Sequence, residues 1–365
     1  MNRRKLLAAS ATVPLLSGCL DGVVGSDDGT DDGTAEDGTS ENASSESKTT
    51  SDAPETDGVY VQPFVENMLT AGTATSGDYR FAVFYTFPHR FWTVTGNERS
   101  EQPMLDDHSL HLMASVWDPE TETVLPDTGL SVEITRDGEL VSEEVIYPMI
   151  SQRMGFHYGA NFTLGSDGTY AVDVSVGGMS TRRTGAFEGR FADPESATVE
   201  FDFTQDQRDR LTSQDVDAGG DPGAVQPMDM EMLPIGRAAS AETLPGTARG
   251  SATGDGVTYV VTTLSDERFG DGTYVAVSAR TRYNSLLLPE MGLSGTIERD
   301  GETLFDGEFE RTLDPELDYH YGALVEDAAA GDDLSLSVEF PPQVARHEGY
   351  EEAFLETPTV DLTLE

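Results

Sequence analysis

Along residues 108–117 apolar and polar or special side chains alternate. Leu110, Leu112, Ala114 and Val116 fall on one side of an extended strand, and His111, Met113, Ser115 and Trp117 on the other. The same two-residue period recurs in YAVDVSV (Tyr170–Val176) and TVEFDF (Thr198–Phe203), while Tyr79–Phe87 is an aromatic and β-branched run suited to a buried strand. Gly, Asp and Pro separate these runs. Asp137-Gly138 marks a hairpin between Leu130–Ile134 and Glu139–Ile146, and no long segment keeps a helical period. The pattern predicts an all-β chain of antiparallel, immunoglobulin-like sandwiches, with one short helix at Thr204–Leu211.

The pattern occurs twice. His157-Tyr158-Gly159-Ala160, the centre of YPMISQRMGFHYGAN (Tyr147–Asn161), returns as His320-Tyr321-Gly322-Ala323. Gly129–Glu139 returns in part as Gly292–Glu302, and Phe187 and Phe191 as Tyr350 and Phe354, each 163 residues on. A constant offset without gaps points to one small domain present in two copies. The expected order is an export signal at 1–19, an acidic linker with no core at 20–58, a first sandwich at 59–203, a linker at 204–224 and a second sandwich at 225–365.

Charge narrows the partners. Asp and Glu number 67 against 22 Lys and Arg, a net charge of −45, which repels nucleic acid and anionic lipid. Such a surface suits high salt, where screening removes the self-repulsion, and its carboxylates serve solvation rather than a calcium array. At the start, Asn2-Arg3-Arg4-Lys5 precedes an apolar run, Leu6–Leu16, and then Leu16-Ser17-Gly18-Cys19. These are a twin-arginine export signal and a lipobox. The run is too short to span a bilayer permanently, so a lipid on Cys19 is expected to tether the chain to the outer face of the membrane. Cys19 is the single cysteine, which excludes a disulfide and a zinc-thiolate site. Asn42-Ala43-Ser44 and Asn161-Phe162-Thr163 match the glycosylation sequon.

No G-x-S-x-G, phosphate loop, H-E-x-x-H or nucleophilic cysteine occurs, so no enzyme is expected. What stands out is the sorting of rare side chains. Of six histidines, His89, His108, His111 and His157 fall in the first copy, among Met104, Met113, Met149 and Met154. Imidazole suits copper, iron and zinc, and thioether sulfur selects soft ions such as Cu(I). The alternative is structural: methionine fills cores, and His157 and His320 can each hold a loop through a backbone carbonyl. In the second copy the positions of His111, Met113, Met149, Met154 and His157 hold Tyr274, Ala276, Thr312, Leu317 and His320. Met228, Met230 and Met232, if extended, would place three sulfurs on one side, to cap an ion or to bury between the copies.

These residues resemble the periplasmic iron-transport accessory proteins, also called high-affinity iron-transport periplasmic proteins. The likeness lies in Val59-Tyr60-Val61-Gln62-Pro63, His111-Leu112-Met113-Ala114, Pro148-Met149 leading into Gly155–Asn161, Gly168-Thr169-Tyr170 and Gly185–Phe191, with Val225–Glu231 similar to that family's opening strand. The resemblance implies an immunoglobulin-like sandwich that binds copper or iron outside the cytoplasm, often as a dimer beside an iron permease, with ligands at His111, Met149 and His157. Met113 stands where the family has glutamate. The family's late histidine falls at Arg183 in the first copy, and the nearest histidine of that kind is His347, which could reach the first copy's site.

The expectation is therefore an extracytoplasmic lipoprotein binding iron or copper for delivery to a membrane permease. His111 and His157 supply nitrogen, Met113 and Met149 sulfur, and Met154 or His108 further donors. The rival is a surface interaction module without metal.

Overall fold

The Leu110–Trp117 strand has every residue buried, on both faces. One face is the expected core: Leu110, Leu112, Ala114 and Val116 pack with Val132, Ile134, Val172, Val174 and Phe201 from a second sheet. What covers the other face decides the architecture. The structure, a computed structural model, describes residues 58–143, 145–230 and 232–365. The export signal, Cys19 and nearly all of the acidic linker lie outside the described residues.

The fold is all-β. In the first copy an eight-stranded sheet runs in the order Leu69–Ser76, Tyr79–Thr86, Leu110–Trp117, Gly155–Phe162, Tyr147–Ser151, Ala345–Arg346, Phe91–Thr95, Glu98–Gln102. A four-stranded sheet, Glu195–Phe203, Gly168–Val176, Ser131–Arg136, Glu139–Ser142, faces it across the core. In the second copy the long strand Glu302–Asp314 passes through both layers, pairing first with Gly292–Arg299 and then with Asp318–Val325. Its counterpart in the first copy is broken into Glu139–Ser142 and Tyr147–Ser151. The two Asp-Gly hairpins match: Asp137 and Gly138 have φ of 52° and 79°, and Asp300 and Gly301 52° and 83°. Two consecutive positive φ angles define the type I′ turn that Asp-Gly favours.

The two copies exchange strands. Ala345–Arg346, from the second copy, inserts into the first copy's sheet, parallel to Tyr147–Ser151 with Ala345 opposite Met149, and antiparallel to Phe91–Thr95. Reciprocally, Arg182–Arg183 pairs in parallel with the second copy's long strand, Arg182 opposite Thr312. One buried core runs through both copies. Residues 204–224 are ordered: Thr204 caps a four-residue helix, Gln205–Arg208, through its hydroxyl, and Ser213–Asp215 pairs with Phe64–Glu66. The polar stretch around Asn97 forms a hairpin, Phe91–Thr95 with Glu98–Gln102, which clamps the exchanged strand from outside.

Candidate metal centre

The second face of Leu110–Trp117 carries His111 and Met113, and the neighbouring strands turn matching residues to the same side. Register places Gly159 opposite Met113, Asn161 opposite His111, and His157 opposite Met149. Strand alternation thus gathers His111, Met149, His157 and Asn161 around Gly159. The exchanged strand then delivers His347, whose backbone N–H donates to the Ile150 carbonyl.

The donors converge. His347 Nε2 lies 3.3 Å from Met149 Sδ. A Cβ placed on Gly159 would stand 2.7 Å from His111 Nε2 and 2.8 Å from Met149 Sδ, so nitrogen and sulfur border one small space that only glycine leaves open. Ring centroids of His347 lie 5.6 Å from His111 and 5.1 Å from His157. His89, on the loop before the clamping hairpin, stacks on His111 at 4.1 Å.

Hydrogen bonding fixes the tautomers. His111 Nδ1 lies 2.9 Å from Asn161 Oδ1, and His157 Nδ1 lies 3.0 Å from the Gly155 carbonyl. An amide oxygen and a carbonyl only accept, so each Nδ1 carries the proton and each Nε2 a lone pair. Both Nε2 atoms are buried without a partner. Burial holds the His157 imidazole down to about 4. Burial, then the nearby imidazoles, hold His111 and His347 well below the ordinary value, and burial also lowers His89. Neutral imidazoles with a free lone pair are the form that binds metal. Among the described residues, no three His, Cys, Asp or Glu groups by themselves stand placed to hold an ion. The rings meet tilted or edge-on, and Met149 sulfur, which that set omits, takes part in the convergence.

The second copy shows the same frame closed. His320 Nδ1 lies 3.0 Å from the Asp318 carbonyl, as His157 does from Gly155, but its Nε2 meets the Tyr274 hydroxyl at 3.0 Å. The same hydroxyl lies 3.3 Å from Thr312 Oγ1. Tyr274 replaces His111 and Thr312 replaces Met149, so the phenol occupies the space between the donors. The place of His347 is taken by Thr184, whose hydroxyl donates to Asp314. The alignment of the late histidine with Arg183 is thus corrected by one residue: Arg183 matches the buried Arg346.

The remaining sequence candidates divide. Met113 and Met154 are buried together in a cluster with Met68, Met228 and Met230 at its edge, next to the imidazoles rather than among them. Residues 224–230 are not a strand. The chain turns there, Leu233 N–H donating to the Met230 carbonyl, and Met232 is left exposed. His108 lines a separate cleft with Leu105, Val145 and Asn161, and its Nδ1 accepts from the Leu105 N–H. Sequence reasoning did not single out His89 or the supporting role of Asn161. The signal for His89 was its place in a loop and hairpin that the second copy lacks. Both ends of the Asn161 amide are engaged, Oδ1 by His111 and Nδ2 as donor to the His89 carbonyl.

A model of the domain of unknown function DUF7350 matches residues 64–200 and 242–363, one segment in each copy. The chain belongs to the DUF7350 family. No curated protein matches it. Among solved structures, it is similar to uropathogenic E. coli FetP, expressed in the periplasm of E. coli, at 21% identity over 38% of this chain and 97% of FetP, with a TM-score of 0.29. A copper-bound FetP variant gives 21%, 38% and 93% with a TM-score of 0.30, and a copper-bound variant of Campylobacter jejuni P19 gives 18%, 38% and 98% with 0.29. In this member of the DUF7350 family the two copies keep one histidine, His157 and His320, and differ around it at His111/Tyr274, Met149/Thr312 and His347/Thr184.

Proposed function

We propose that this chain is an extracytoplasmic metal carrier whose cargo, copper or iron, is held by His111 Nε2, Met149 Sδ, His157 Nε2 and His347 Nε2, and passed toward a membrane permease. One observation carries the reading. Two buried imidazole lone pairs are left without partners beside a thioether, whereas a tyrosine hydroxyl satisfies the same position in the second copy. A buried polar atom without a partner costs about 1–3 kcal/mol, and a bound ion removes that cost here. Three nitrogens and one sulfur with no carboxylate make a soft set, which favours copper, Cu(I) above all; the resemblance to iron-transport accessory proteins supports iron. No reaction is assigned, since a carrier needs only ligand exchange. The twin-arginine signal and the lipid site at Cys19 support an anchored location on the outer face of the membrane. The experiment is metal analysis and competition titration of the full chain with His157→Ala and His347→Ala. Each variant should lose the buried ion. Parent-level copper and iron binding in both would leave the scaffold reading instead.

A further inference from the structure

Over the imidazole centre opens a cleft of about 90 Å³, lined by Met68, Met113, Met154, Met228, His89 and Glu66, with His347 reaching into it from the centre below. The four thioethers come from four separate segments, one of them the start of the second copy. That is four of the chain's 11 methionines at one opening. We propose that this cleft is a second metal site, selective for Cu(I), at which the ion is first taken up and from which it moves by ligand exchange through His347 to the buried centre.

Three observations favour this over plain core filling. A methionine core closes on itself, whereas here four methionines line an open cleft. The second copy shows that packing at these positions does not require sulfur: Met113 corresponds to Ala276 and Met154 to Leu317, both buried. And the imidazole frame closed by Tyr274 has no thioether at the counterparts of Met113 and Met154, so these two sulfurs accompany the open imidazole site. Thioethers are uncharged and do not titrate, so three or four of them hold Cu(I) with little competition from protons or from hard ions such as Mg²⁺ and Ca²⁺. His89, its Nδ1 engaged by the Arg90 carbonyl, stacks between His111 and the opening and supplies a nitrogen at the mouth. The copper stays Cu(I) throughout, so no electron donor is needed.

This inference adds to the proposed centre, and the test separates the two. Full-length protein is titrated anaerobically with Cu(I) against a chromophoric chelator, and in parallel with Ag(I), which has no accessible redox partner. The parent should bind two equivalents, and Met113→Leu/Met154→Leu/Met228→Leu one, leucine conserving volume so that the fold persists; His157→Ala should also fall to one. A parent that binds one equivalent, or a triple variant that still binds two, overturns the cleft site. A triple variant at one with His157→Ala at two would sink the buried centre and leave the cleft standing. Fe(II) should occupy no more than one site in any of these proteins.

Discussion

Gly159→Ala separates coordination from folding. Gly159 sits in a strand at ordinary extended dihedrals, outside the positive-φ residues, so alanine there lowers the entropy of the unfolded chain and favours folding by about 0.4–1 kcal/mol. Its methyl would stand 2.7 Å from His111 Nε2 and 2.8 Å from Met149 Sδ. Carbon needs about 3.5 Å or more from either atom, so each donor must withdraw by roughly 0.7 Å. Metal–ligand distances tolerate about 0.2 Å, and the methyl takes part of the space the ion needs. Overpacking costs about 1–3 kcal/mol, which the entropy gain partly offsets. The expected outcome is a metal-free protein within about 2 kcal/mol of the parent in urea unfolding, with affinity for the buried ion down at least 100-fold. Removing even an outer-shell partner costs 10–100-fold. The control is Gly322→Ala, where the added carbon would overlap the Tyr274 hydroxyl; it should destabilise the second copy and leave metal binding unchanged. If Gly159→Ala bound copper and iron as tightly as the parent, no ion sits between His111 and Met149, and the argument for the centre fails.

Asn161→Ala removes the acceptor that orients His111 and should weaken metal binding about 10–100-fold with the ligands themselves intact, measured by the same competition titration. Tyr274→Phe strips His320 Nε2 of its donor; unfolding should show a loss of about 1–3 kcal/mol with first-copy metal binding unaltered. Glu290, half-buried and facing Asp127, has its carboxyl pushed above the usual range, by burial first and by the Asp127 carboxylate second. A raised folded value means stability that is present below the ordinary carboxyl range and lost as pH climbs through the folded one. The unfolding free energy of the metal-free protein, from urea titrations, should therefore fall from pH 5 toward 8 by up to about 1.4 kcal/mol per unit, and Glu290→Gln should flatten that slope; an unchanged slope refutes the assignment.

Much of the centre could be read from residue order because strand alternation is local. His111 and Met113 share a face by a two-residue period, and the HYG element brings His157 beside it. The second copy's losses at Tyr274 and Thr312 pointed to the half that carries the donors. What residue order did not carry was the exchange. His347 lies 190 residues from His157, and nothing in a two-residue strand such as Ala345–Arg346 tells which copy's sheet it joins. The same limit explains Met228–Met232, where a spacing compatible with a strand was overridden by a turn at Leu233. His89 was hidden for another reason: loop residues obey no period, and only the fold shows that the Pro88–Phe91 segment bends back over His111.

The reciprocal placement of Arg182–Arg183 and Ala345–Arg346 bears on how the asymmetry could arise. Two separate identical polypeptides trading these segments would build two equal half-and-half pockets, and any replacement in the gene would alter both at once. With both partners encoded in one reading frame, each pocket drifts on its own. Tyr274 can seal one while His111 and Met149 stay in the other, a difference that two separate identical chains could not hold.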